Sequence, residues 1–190
     1  MSLRPLFKAA YILFRTLFFV TLPIALFNCV YHIAFLFFPN SEFTSTFGEL
    51  EPIFSYLTID FQSSPTFLMN QNMMVLSFMS GITLFVLALI VLRLLDKLFQ
   101  NVYHDSLFIK ENVKLFYTMG ILILTLGSLF FYIDGLIFEK TINALNITNA
   151  SIAFSNISFV DTIVSGITLI LIGAALKVAV QAVEENKYTI

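Results

Sequence analysis

The sequence predicts an all-α membrane protein, a four-transmembrane-helix bundle with a small external β cap formed by its two outer loops. Three observations carry that expectation. Of the 190 residues, 58% are hydrophobic and 12% charged, whereas a soluble domain carries about a quarter charged residues, so the excess apolar surface has to face lipid. Four apolar runs, at residues 17–38, 73–95, 115–138 and 159–180, each reach the roughly 20 residues that a helix needs to cross a hydrocarbon core. Basic residues fall almost entirely in alternate connections, the asymmetry that sets orientation.

The first span opens after Arg4, Lys8 and Arg15. Its basic start resembles a signal peptide, but the apolar run is about twice a usual h-region and no small-x-small cleavage pattern follows. A lipoprotein reading of Leu26-Phe27-Asn28-Cys29 fails because Asn28 stands where a small residue belongs. Pro23 lies inside the span and removes the bond to a carbonyl near Phe19, so a kink is expected there. Cys29 is the single cysteine, which rules out an intrachain disulfide.

The external connection 39–72 is long, and residues 54–61 place aromatic and β-branched side chains at strand-like spacing. Residues 150–157 in the second external connection, 139–158, alternate apolar and small polar side chains in the same way. Together these two segments make the expected cap. Asn146, Asn149 and Asn156 form sequons in the second loop, which reflect the Asn, Ser and Thr content of a turn-rich segment rather than modification.

Past the second span, Leu94, Leu95, Leu98, Phe99 and Val102 recur at helical spacing, with Asp96, Lys97, Gln100 and Asn101 on the other face. That pattern fits an amphipathic helix lying along the membrane, and equally a solvated turn with an apolar start. The connection 96–114 holds Lys97, Lys110 and Lys114, and Arg93 stands just before it. With Lys177 and Lys187 at the last span, all but Lys140 of the ten Lys and Arg residues lie on one side, nine (10 − 1) against one. That side is therefore expected to be cytoplasmic, with both termini on it.

The third span carries Gly120 and Gly127, and the fourth carries Gly166 and Gly173. In lipid, helices associate through close approach at small residues rather than through apolar burial. The shared spacing of seven keeps each pair on one face, and an antiparallel arrangement would set Gly120 near Gly173 and Gly127 near Gly166. Asn28, Ser80, Thr125, Ser128 and Thr168 lie deep enough to bond across helices at roughly 0.6 kcal/mol each. Arg15 and Lys177 are expected to snorkel toward headgroups.

Ionisable residues inside spans are functional candidates by default. His32, Asp134 and Asp161 lie at similar height near the outer ends of spans one, three and four. A His with two carboxylates suits a divalent cation or a proton-sensitive latch, although at so shallow a depth each acid can reach water, which favours a structural role. No charge ladder, filter repeat or inverted repeat points to a transporter. Phosphate-binding loops, zinc spacings and nucleophile elbows are absent as well. The residues therefore point to no catalytic site, no metal, no cofactor and no direct contact with nucleic acid. His104-Asp105 is expected to be a turn.

Two runs, LFIKENVKLFYTMG at 107–120 and EENKYTI at 184–190, resemble segments of a bacterial family designated domain of unknown function 2975, the YoaS-like four-span membrane proteins. The likeness in layout covers the whole chain, whereas specific residues match in these two places. It departs at the end of the last helix, where Ala179 or Ala182 stands in place of the family's Gly. The resemblance implies a bacterial cytoplasmic membrane and a neighbouring helix-turn-helix regulator of the Cro/CI type as partner. It implies a docking surface made of Phe108, Glu111, Asn112 and Lys114 with Glu184, Glu185, Thr189 and Ile190. A non-enzymatic partner of such a regulator is thus the leading expectation, ahead of a small transporter, channel subunit or immunity protein working through His32, Asp134 and Asp161, and of a membrane enzyme.

Overall fold

The computed structural model describes residues 4–47, 70–145 and 157–187. These residues form four long helical segments. The first is α1 (Arg4–Phe37), followed by a short α2 (Glu42–Phe47) and by α3 (Gln71–His104). The third segment consists of α4 (Lys110–Leu122), one π turn (Ile123–Gly127) and α5 (Ser128–Ala144), and the fourth is α6 (Ile157–Lys187). Each segment is long and apolar enough to cross a membrane.

No strand occurs among the described residues. The first part of the expected cap, 54–61, lies outside them, as does 150–156, and Ile157 already belongs to α6. Where the two outer connections are described, they are helical: α2 occupies the start of the first, and α5 runs to Ala144 in the second. Phe43 and Phe47 recur one turn apart on α2, and Phe47 packs edge-on to Phe27 and Tyr31 of α1 at 5.7 and 5.8 Å. The aromatic residues of this segment thus serve one face of a helix.

The helices exceed the predicted spans. At 1.5 Å per residue a 34-residue helix is about 50 Å long, so α1 and α3 each extend well past a hydrocarbon core of roughly 30 Å. The extensions of both lie at the same end, hereafter the basic end. α1 runs unbroken through Pro23. α3 is opened by Asn70, whose side-chain oxygen accepts from the Asn72 N–H at 3.0 Å, satisfying one of the free donors at a helix start.

The segments pack in chain order. α1 lies along α3, α3 lies against the third segment, and α6 packs on the third segment through α4, the π turn and α5. Among the described residues α1 makes no comparable contact with α6. The amphipathic stretch after span two continues α3 and packs on neighbouring helices. Leu98 packs with Leu115 and Met119, supported by Leu94 and Leu95, while Phe99 stacks on Phe14 of α1 at 5.4 Å. With α4 on one side and α1 on the other, both faces of this stretch are used internally.

The third segment and α6 meet through the four glycines, in a register about one helical turn from the one expected. A Cβ at Gly120 would stand 2.7 Å from the Gly166 carbonyl oxygen and 2.6 Å from the Ile170 side chain. Gly127 faces Thr162, and Gly173 faces Phe116 and Tyr117. Apart from the Gly120–Gly166 approach, each glycine receives a side chain of the other helix. Leu124, over Gly166, is one such knob. A glycine-on-glycine register would have left those side chains without holes. The π turn adds a residue between Gly120 and Gly127, and Thr125 Oγ1 donates to the Ile121 carbonyl at 2.8 Å within that stretch.

Because a Cβ cannot fit at Gly120 without moving backbone, Gly120→Ala is expected to destabilise the protein by about 2 kcal/mol. Gly173→Ala, whose Cβ would meet Phe116 Cβ at 3.2 Å, is expected to have a smaller effect. Equilibrium unfolding in detergent micelles measures both.

Candidate functional site at the basic end

The basic end is organised by two buried polar centres. The first is Asp96. Its side chain is 2% exposed, and three guanidinium donors reach it. Arg15 of α1 gives Nε to Oδ2 at 3.3 Å and Nη2 to Oδ1 at 3.1 Å, and Arg93, one turn earlier on α3, gives Nη1 to Oδ2 at 2.9 Å. An isolated carboxylate at this depth would be prohibitive, whereas one bracketed by two guanidinium groups has its charge and lone pairs answered. Arg15 also lies over the Tyr11 ring at 5.4 Å, and Tyr11 packs on Tyr103 of α3 at 5.7 Å. Arg15 is therefore held to another helix, where simple snorkelling was expected.

The second centre is Asn112, with no exposed surface. Its Nδ2 donates to the carbonyls of Ser106 and Leu107 at 3.0 Å each, and its Oδ1 accepts from Asn101 Nδ2 at 2.8 Å. The turn from α3 to α4 is thus tied from inside. Asp105 N–H closes the end of α3 on the Asn101 carbonyl, and Ser106 Oγ accepts from Phe108 N–H. Of the expected His104-Asp105 turn, Asp105 lies in the turn and His104 ends α3. The fixed loop leaves Leu107 and Phe108 outward, at 39% and 45% exposed.

Sequence-derived candidates divide accordingly. Phe108, Glu111 and Lys114 are exposed around this turn, whereas Asn112 is enclosed and has no surface with which to meet a partner. Glu184 is half-buried and Glu185 exposed on the last turns of α6, and Thr189 and Ile190 lie outside the described residues. The two runs are brought together: Lys110 Nζ is 2.9 Å from Glu184 Oε2.

At the opposite end the three polar candidates occupy different settings. His32 is buried between α1 and α3, with Nδ1 at 2.9 Å from the Asn28 carbonyl and Nε2 at 3.0 Å from Ser77 Oγ. Its ring stacks on Phe78. Asp134 is buried in α5, and Asp161 is exposed on α6. Among the described residues no three His, Cys, Asp or Glu side chains are grouped to hold a metal ion. Below His32, Asn28 packs into the space left by Gly81, where a Cβ would lie 2.6 Å from Asn28 Oδ1. Gly81, like Asp96, was missed by sequence reasoning. The available signals were an acid within Leu-Arg-Leu-Leu-Asp96 with Arg three residues before it, and Arg15 at matching depth on the antiparallel neighbour.

No family model, curated protein or solved structure matches the chain.

Asn112→Ala would strand two carbonyls and the Asn101 amide. It is expected to cost about 2 kcal/mol of stability and to raise hydrogen exchange selectively at residues 105–109, which mass spectrometry of the deuterated protein in micelles would detect.

Proposed function

We propose that the protein is a multi-pass protein of a bacterial cytoplasmic membrane, with both termini cytoplasmic, whose basic end receives a protein partner. In this reading it performs no chemistry of its own. The observation that carries the proposal is the Lys110–Glu184 ion pair. It joins the turn after α3 to the end of α6, so that two runs distant in sequence form one surface. Exposed Leu107 and Phe108 supply apolar anchors, and Glu111, Lys114 and Glu185 supply a mixed-charge rim, the composition of an interface with a polar border. The turn is held by Asn112, so binding there needs little further ordering. The YoaS-like resemblance falls on these same two runs and suggests a Cro/CI-type helix-turn-helix regulator as the partner, held at the membrane and away from its operator.

A small transporter or channel subunit is the second reading, favoured by the burial of His32 and Asp134 within spans, where ionisable groups are costly. The bonding of both His32 nitrogens within the α1–α3 pair supports a packing role instead.

Crosslinking and pull-down from native membranes separates the two. A DNA-binding regulator is expected with the intact chain, reduced about tenfold or more by Phe108→Asp and by removal of residues 183–190, with thermal stability unchanged by Phe108→Asp. Absence of such a partner, together with proton or ion flux through the purified protein in liposomes, would establish the second reading.

A further inference from the structure

The Asp96 centre is unbalanced, and the imbalance faces outward. Two guanidinium groups answer one carboxylate, leaving one positive charge. Arg15 and Arg93 remain 41% and 64% exposed. Asp96 uses Arg15 Nε and Nη2 and Arg93 Nη1. Arg15 Nη1 and Arg93 Nε and Nη2 bond to nothing among the described residues. These donors belong to side chains already held in place by a buried acid, with Arg15 also resting on Tyr11.

The surface around them is two-toned along the helix axis. On α1, Lys8, Ile12, Arg15 and Phe19 follow one another at spacings of four, three and four, which puts them on one face, and Lys8, Ile12 and Phe19 are exposed. On antiparallel α3, Val86, Ile90, Arg93 and Lys97 repeat the same spacing, all exposed. Since Arg15 and Arg93 meet at Asp96, the two faces adjoin. Toward the basic end the combined face is cationic, through Lys8, Arg15, Arg93 and Lys97. Toward the middle of the spans it is apolar, through Phe19, Ile90 and Val86. The change falls at the ends of the apolar runs, where a bilayer changes from acyl chain to phosphate.

We propose that this face of the α1–α3 pair is a binding site for an anionic phospholipid. The free donors of Arg93 and Arg15 hold the phosphate, Lys97 and Lys8 flank the headgroup, and the acyl chains lie along Phe19, Ile90 and Val86. Guanidinium groups suit a phosphate because two of their N–H groups can meet two of its oxygens. A net cationic rim between spans on the cytoplasmic side is the setting in which anionic headgroups are recognised. Charge complementarity with an apolar strip beneath it selects a lipid over a soluble anion.

The test uses the purified full chain in a zwitterionic detergent. Phosphatidylglycerol and phosphatidylcholine with the same acyl chains are added in equal amounts, and native mass spectrometry counts what is retained. The inference rests on the membrane-spanning reading; retention of lipid of either kind reports on that reading, and the preference between headgroups reports on the site. Phosphatidylglycerol is expected to be retained about tenfold over phosphatidylcholine. Arg93→Gln keeps both Arg15–Asp96 bonds and is expected to lower that preference about fivefold, the equivalent of ~1 kcal/mol for one basic group. Lys97→Gln, which disturbs no bond among the described residues, is expected to act in the same direction, and Lys140→Gln at the opposite end to have no effect. Equal retention of the two lipids, or a preference untouched by Arg93→Gln and Lys97→Gln, overturns the proposal. So does displacement of phosphatidylglycerol by an equal concentration of inorganic phosphate, which would assign the donors to a free anion.

Discussion

A carboxylate enclosed between two helices has to be answered by charge, and in this protein that requirement fixes how α1 meets the rest of the molecule. Among the described residues α1 packs chiefly on α3. Apolar contact cannot set its register, because lipid tails offer an apolar side chain as much as another helix does. Asp96 sets it instead, since Arg15 reaches both carboxylate oxygens at one height only. The Phe14–Phe99 and Tyr11–Tyr103 pairs follow in turn from that height toward the basic end, and His32 with Ser77 repeats the device near the other end of the pair. The exposed arginine donors and the cationic rim follow from the same bonds.

The other half of the molecule is joined by a different means. Between the third segment and α6, glycines let the backbones approach and provide holes for Leu124, Ile170 and Phe116. The Lys110–Glu184 pair closes that half at the basic end, with Lys110 exposed and Glu184 half-buried, and a pair so open to solvent is worth little to stability. Its significance is positional. Leu98, packed on Leu115 and Met119, connects the two halves through α3, and Asn112 secures the turn where the chain passes from one half to the other.

The four spans and the glycine faces were legible because each rests on local periodicity, which one sequence displays. What was not legible depends on neighbours. The helical period separates Asp96 from Leu98 correctly, yet a polar face reads as solvated until α1 is known to cover it. Asn112 reads as an exposed polar residue of a docking motif, because the carbonyls that enclose it belong to a turn whose closure leaves no periodic trace. The glycine register missed by one turn for a related reason: such a shift keeps the same residues on the same face, and only the fit of side chains such as Leu124 chooses between registers. The strand expectation falls on 54–61 and 150–157, while at 42–47, on which no element is predicted, packing of Phe47 on Phe27 and Tyr31 holds a short helix.

If the Asp96 centre sets the α1–α3 register, Arg15 and Asp96 must be energetically coupled, and a double-mutant cycle measured by equilibrium unfolding in micelles tests that directly. Arg15→Met in the parent background leaves a buried acid half-answered and is expected to cost about 3 kcal/mol. In an Asp96→Leu background, where no acid remains to be answered, the same substitution is expected to cost under about 1 kcal/mol. An equal effect of Arg15→Met in the two backgrounds would contradict the account.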